Sequence, residues 1–115
     1  MAAPAGYSPL HVALLTGDVA QVRALLDAGA DVREARTGKG GRSMGTKSMV
    51  AYRHGRAHAH PPESAQRAAE HALCDALDKL LDERGAPATL DDMHWWTQGV
   101  VDASDIAAKQ GRPWK

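Results

Sequence analysis

The chain has few or none of several residue types that stabilise or localise proteins. Phenylalanine and asparagine are absent, isoleucine occurs once, and Cys74 is the single cysteine. One cysteine excludes an intrachain disulfide and is typical of a reducing compartment, so a cytoplasmic location is predicted. The residue bias also favours a GC-rich, bacterial coding sequence.

Long apolar runs are missing as well. The longest ones are only a few residues, whereas a membrane-spanning helix needs about 20. The segment Met1–Pro4 shows no basic stretch followed by an apolar core, so no secretory signal is expected. The sequence therefore predicts no membrane partner.

Net charge gives no reason to expect a nucleic acid or an anionic membrane as partner. Fourteen Lys and Arg residues balance 14 Asp and Glu residues over 115 positions, so the whole chain attracts neither. Leu, Ile and Val are scarce, and 22 alanines supply further apolar side chains. We expect one domain over residues 1–115, with helices that approach each other closely.

Residues 6–31 contain the signals of two short helices. Ser8 is placed to cap a first helix that begins at Pro9 and ends before Gly17, and Asp18 is placed to cap a second helix. Gly29 lies where a left-handed residue after that helix is favoured. A short helix pair of this kind cannot bury its apolar face alone, so it must stack on neighbouring helices. The apolar residues recur at helical spacing: Leu10, Ala13 and Leu14, then Val19, Val22, Leu25 and Leu26.

This stretch resembles an ankyrin repeat. Ser8-Pro9-Leu10-His11 is similar to the Thr-Pro-Leu-His signature of that family, and residues 25–30 read Leu-Leu-Asp-Ala-Gly-Ala, which is similar to its usual ending. The resemblance implies a stack of helix pairs that binds other proteins. It also implies that His11 is structural and hydrogen-bonds the loop between repeats.

Two weaker copies follow in the same register. Residues 46–55 and 76–86 resemble the two halves of a second repeat, and residues 102–111 resemble the start of a third. The domain is therefore predicted to consist of the following repeats: about 6–37, about 44–86 with an insertion, and a partial one at about 100–115.

The second repeat is unusually long. Its two helix-ending glycines are 30 residues apart, against 12 in the first repeat. Residues 63–84 contain no Gly or Pro and carry leucines at helical spacing, so one long outer helix is predicted there. Residues 86–101 predict an extra helical turn in place of a finger loop. The predicted fold class is all-α: a short ankyrin-like helical repeat stack with an elongated outer helix and extended loops.

Charge is segregated along the chain although it sums to zero. Residues 33–67 carry a net charge of +6, and residues 68–115 carry −4. The basic part can present a positive finger surface to an acidic partner; alternatively, the two parts neutralise each other in the fold. The basic loop 38–48 lacks both a preceding strand and the Gly-Lys-Ser ending of a phosphate-binding loop, so nucleotide binding is not predicted.

Histidines and the cysteine cluster in the middle of the chain. His58, His60, His71 and Cys74 supply four nitrogen and sulfur atoms of the kind that zinc prefers. Because no Cys-x-x-Cys pair is present, Cys74 is better explained as a small buried apolar residue, and no cofactor is predicted. Metal binding is kept as an alternative function, together with nucleic-acid binding by the basic finger.

No serine, cysteine or carboxylate lies in a catalytic arrangement, so the chain is predicted not to be an enzyme. We expect a non-catalytic protein–protein interaction module, in the role of a small inhibitor or an immunity-type adaptor, that binds one protein with an acidic surface. A homodimer through leucines of residues 63–84 is a further alternative, with Leu73, Leu77 and Leu80 as its contacts.

The resemblance also selects the candidate binding residues. In the ankyrin repeat family, partners meet the finger loops and the first helix of each repeat. Adjacent tryptophans on a helix point about 100° apart, so one of Trp95 and Trp96 is expected to be structural and the other to be a binding anchor. The predicted partner-binding residues are Arg33, Arg36, Arg42, Lys47, Tyr52, Arg53, Trp95 and Trp96.

Overall fold

The computed structural model describes residues 8–37 and 41–111. This part of the chain is mostly helical and contains five α-helices, one antiparallel hairpin and a short 3-10 turn at Ala57–Ala59. The predicted helical class is confirmed, with the small hairpin as an addition to it. In chain order the elements are α1 (Pro9–Thr16), α2 (Val19–Asp27), β1 (Ala35–Thr37), β2 (Ser43–Gly45), α3 (Thr46–Arg56), α4 (Ala65–Glu83) and α5 (Leu90–Lys109).

The first helix pair is determined by its caps. The Ser8 hydroxyl accepts a hydrogen bond from the His11 backbone N–H at 3.2 Å, and the Asp18 carboxylate accepts one from the Gln21 N–H at 3.0 Å. Gly17 ends α1 in the left-handed region with φ of 76°, a conformation that glycine adopts without strain. The predicted caps and helix boundaries are therefore confirmed.

A short hairpin forms between the first and second helix pairs, where the sequence predicts an extended loop. β1 and β2 pair antiparallel, with Arg36 opposite Met44. The Thr46 hydroxyl donates to the Val32 carbonyl at 2.8 Å, and the Ser8 hydroxyl donates to Glu34 at 2.6 Å. These bonds attach the segment just before β1 to the starts of α1 and α3.

Helix α3 lies at the centre of the molecule and packs against α1, α4 and α5. Helix α2 packs against α1 and α4, so each helix pair contacts the next one along the chain. The largest fully buried side chains come from four of the helices: Leu10, Leu14, Val22, Met49, Leu77 and Leu81.

The contact between α3 and α5 depends on two glycines. A Cβ atom added at Gly55 would overlap the Trp96 carbonyl oxygen, and one added at Gly99 would overlap the Tyr52 carbonyl oxygen. The two backbones therefore touch directly at this crossing. The close helix approach expected from the many small residues is present, and glycine rather than alanine produces its tightest point.

The long helix predicted at residues 63–84 is confirmed as α4. Ser64 caps its start, because the Ser64 hydroxyl accepts a hydrogen bond from the Arg67 N–H at 3.1 Å. After it, α5 runs without a break from Leu90 to Lys109. It joins the extra turn predicted within 86–101 to the helix predicted at 102–111. No helix in the described ranges combines the length and the apolar character needed to cross a bilayer.

Two expectations for individual side chains are wrong. Leu77 and Leu80 are buried and Leu73 packs against the same core, so these leucines are not available for a homodimer contact. His11 is buried as expected, but neither ring nitrogen has a hydrogen-bond partner among the described residues, so it does not tie down the loop between repeats. Its role is packing.

Candidate functional site

Three of the predicted arginines lie around the hairpin, and we call them the basic hairpin: Arg33, Arg36 and Arg42. Arg33 precedes β1 and is exposed, whereas Arg36 on β1 is half-buried. Arg42 is also exposed and forms an ion pair with Asp91 at the start of α5, at 3.3 Å. The basic hairpin is therefore a surface feature, and Arg42 links it to α5. Lys39 of the same loop lies outside the described residues.

Lys47 follows the hairpin, but its side chain pairs with residues of another helix of the same chain. Its ammonium forms ion pairs with Asp82 at 2.5 Å and Asp78 at 3.4 Å on α4. Burial lowers the pKa of Lys47, but the hydrogen bond to Asp82 and the charges of both carboxylates outweigh this effect and raise the pKa above its usual value. The ammonium is thus charged and paired with carboxylates of α4.

Arg53 is likewise engaged within the fold. Its guanidinium donates to the Leu15 carbonyl oxygen at the end of α1 and, at 2.6 Å, to Glu70 on α4. Only 18% of its side chain is exposed. Arg53 therefore joins α1, α3 and α4, and little of its side chain is left exposed for the partner contact that the sequence predicted.

The paired tryptophans separate into one buried and one surface residue. Trp95 is 4% exposed, and its indole N–H donates to the Ser43 carbonyl oxygen of β2 at 2.8 Å. Tyr52 packs edge-on against Trp95 and donates its hydroxyl to Asp102 at 2.5 Å. Trp96 is 39% exposed. Trp95 and Tyr52 thus hold α5 in place, while Trp96 is available for contact. The third tryptophan, Trp114, lies outside the described residues.

Helix α5 also carries exposed apolar residues that the sequence reading missed. Leu90 is 94% exposed and Met93 is 75% exposed. With Trp96 they recur every third residue, so they form one row along the helix surface; we call this row the apolar ridge. The capping box formed by Thr89 and Asp92 marks the start of α5, but it does not show which face of the helix is exposed.

The charged halves of the chain neutralise each other in part. Arg42 pairs with Asp91, Lys47 with Asp82, and Arg53 with Glu70, and each of these pairs joins a cation of residues 33–67 to an anion of residues 68–115. This observation favours the second of the two alternatives for the segregated charge. Among the described cations of residues 33–67, Arg33, Arg42 and Arg56 remain exposed.

The residues considered as zinc ligands are not assembled into a site. Within the described residues, no group of three His, Cys, Asp or Glu side chains is arranged to hold a metal ion. Cys74 is buried, and burial together with the charge of Glu70 raises the pKa of its thiol to about 11. His71 instead stacks on His54, with ring centroids 4.3 Å apart.

Comparisons with known proteins give one match. Residues 5–37 match the family model described as Ankyrin repeat. Neither the curated proteins nor the solved structures give a match to the chain. The matched segment includes α1, α2 and β1, together with Arg33 and Arg36 of the basic hairpin.

Proposed function

From the membership of residues 5–37 in the ankyrin repeat family, we propose that the chain is a protein-binding module that uses the basic hairpin and the apolar ridge as its contact surface. Ankyrin repeats generally mediate protein–protein interactions and are typically non-catalytic. The family match is the observation that carries this proposal.

The helix arrangement supports an extension of the repeat beyond the matched segment. We propose that α1 and α2 form the first repeat, that α3 and α4 form the second, and that α5 is the first helix of a partial third one. The sequential packing of α1 on α3 and of α3 on α5 supports this assignment. Residues 112–115 of the third repeat lie outside the described part of the chain.

The partner proposed for this surface has an acidic patch beside an apolar contact. Arg33 and Arg42 are exposed, and Arg42 reaches Asp91 next to Leu90, so the basic hairpin and the apolar ridge adjoin each other. Electrostatic complementarity gives such a contact its orientation and association rate, and Trp96 supplies a side chain of the type that dominates interface energies.

The proposed role is that of a small inhibitor or an immunity-type adaptor, which acts by covering the surface of one partner protein. The chain would do this in a bacterial cytoplasm, a location that rests on the single cysteine. Of the residues predicted from the sequence to bind a partner, this proposal keeps Arg33, Arg36, Arg42 and Trp96. Lys47, Tyr52, Arg53 and Trp95 act as supports within the fold.

A pull-down from nuclease-treated host lysate tests this proposal, with mass spectrometry of the captured proteins. We expect one stoichiometric partner, and a loss of at least about tenfold in affinity when Arg33→Glu and Arg42→Glu are combined. Arg23→Glu is the matched control, since Arg23 is an exposed arginine on α2, away from the hairpin, and it should bind as the parent does.

Two results would contradict the proposal. One is equal capture by the doubly reversed variant and by the parent, which would remove the basic hairpin from the interface. The other is the recovery of nucleic acid in place of a protein when nuclease is omitted, with affinity that falls steeply with salt.

A further inference from the structure

We propose that His54 holds the Trp96 indole in place at neutral pH and releases it when it is protonated, so that the apolar ridge is pH-dependent. This inference deepens the proposed function, on which its biological meaning rests, because Trp96 belongs to the proposed contact surface. The argument begins with one hydrogen bond between α5 and α3.

The Trp96 Nε1 atom lies 3.1 Å from the Nδ1 atom of His54. An indole N–H is a donor only, so Nδ1 of His54 must accept with its lone pair. The His54 ring is therefore neutral, with its proton on Nε2. When both ring nitrogens carry protons, Nδ1 and Nε1 are two donors that face each other, and the bond is lost.

Two further imidazoles lie close to His54. The ring stacks on His71 of α4, with centroids 4.3 Å apart and planes within 7°. His58 contacts both His71 and Trp96, with centroids 5.9 Å away in each case. Its Nδ1 lies 3.0 Å from the Gly55 carbonyl oxygen, so that nitrogen carries a proton and donates. Three imidazoles from three elements thus form one cluster, and two of them, His54 and His58, contact the Trp96 indole.

His71 increases the sensitivity of the cluster to acid. Its Nε2 atom is buried and has no hydrogen-bond partner among the described residues. Burial and the charges of His54, His58 and Arg67 lower the pKa of His71 below its usual value, against a smaller opposing effect of Asp75. Because the folded pKa lies below the unfolded value of 6.5, folding stability is lost as the pH falls through about 6.5.

Other charges adjoin the cluster but do not substitute for the lost acceptor. A cavity of about 240 Å³ between α3, α4 and α5 brings His54 and Trp96 beside Asp75. Glu70 is already paired with Arg53, and Lys47 with Asp78 and Asp82. The charged and titratable groups around the site are Lys47, Arg53, His54 and His58 from α3 and its following turn, Arg67, Glu70, His71, Asp75 and Asp78 from α4, and Asp92 from α5.

The consequence is a contact surface that is preorganised only when His54 is neutral. Protonation of His54 removes the acceptor for the Trp96 indole N–H, so the orientation of Trp96 depends on the charge of His54. At neutral pH the bond to His54 holds the indole in one orientation, which lowers the entropy lost on binding. In acid the indole is free, and the ridge loses that advantage.

Nuclear magnetic resonance of the full ¹⁵N-labelled chain tests the inference without a partner. Trp96→Phe identifies the Trp96 indole N–H signal by its loss. Between pH 7.5 and 5.5 we expect this signal to shift and its exchange with water, corrected for the intrinsic pH effect, to increase about tenfold. In His54→Asn, whose amide oxygen takes the place of Nδ1 and does not titrate, the shift should be absent. His60→Gln is the control, and it should keep the transition of the parent.

Either of two results overturns the inference: a Trp96 signal that does not respond to pH in the parent, or one that responds equally in His54→Asn. If His54→Asn fails to fold, as judged by circular dichroism, the tautomer of His54 in the parent decides instead. The Nε2–H form at pH 7.5 supports the inference, and the Nδ1–H form overturns it. None of these readouts involves a partner, so failure of the switch and failure of the proposed function are distinguishable.

Discussion

The first helix pair and the α3–α5 pair are determined in different ways. α1 and α2 are bounded by signals within a few residues, namely Ser8, Gly17 and Asp18. α3 and α5 are instead fixed by a contact between Gly55 and Gly99 and the backbones opposite them, far apart in the sequence. The family model matches residues 5–37 and not the rest. Local rules thus suffice to identify the first pair, whereas the second pair depends on tertiary contacts.

The largest expected effect is that of Gly99→Ala. The added Cβ would overlap the Tyr52 carbonyl oxygen, which is backbone and cannot rotate away. We expect a loss of about 3 kcal/mol in the free energy of unfolding, measured by urea denaturation. Gly45→Ala is the matched control, since an added Cβ there meets nothing within 4 Å. Equal effects of the two substitutions would contradict direct backbone contact at the crossing.

Leu26→Ala tests the burial of the first helix pair. Leu26 is 8% exposed and belongs to the main core, so its truncation should reduce the free energy of unfolding by about 2–3 kcal/mol. Leu90→Ala, at a site that is 94% exposed, should change it by less than about 0.5 kcal/mol. A loss in the free energy of unfolding below about 0.5 kcal/mol for Leu26→Ala would show that α2 does not pack on the core.

The smallest expected effect is that of a cap. Asp18→Ala removes the acceptor for the Gln21 N–H at the start of α2, and this should cost about 1 kcal/mol. Thermal unfolding of Asp105→Ala gives the comparison, because Asp105 is an exposed aspartate of α5 with no ion pair among the described residues. If both variants unfold at the same temperature, the boundaries of α2 do not depend on its cap.

Sequence patterns predicted the elements better than their contacts. Ser8, Asp18 and the unbroken run 63–84 identified α1, α2 and α4, because caps and helical spacing are local properties. The apolar ridge and the roles of Arg53 and Lys47 could not be found in that way. Whether Arg53 faces a partner or Glu70 depends on how α3 and α4 approach each other, and this is set by packing between residues distant in the chain.

The same reasoning explains why the sequence does not show which of Trp95 and Trp96 is structural. The angle between adjacent helical residues predicts that Trp95 and Trp96 diverge, but it does not predict which one enters the core. Ser43 decides this, since its carbonyl oxygen accepts from the Trp95 indole. The sequence predicts an extended loop at Ser43 and no strand pairing, so the acceptor could not be anticipated.

The glycine crossing also orders events during synthesis of the protein. α1 and α2 can form their contacts as soon as both have left the ribosome, because they are adjacent in the chain. α3 can complete its packing only after Gly99 has been made, since its main neighbour is α5, the last helix of the described chain. Until that moment Tyr52 and the surrounding face of α3 are uncovered, and the nascent chain passes through a state with exposed apolar surface in its second half.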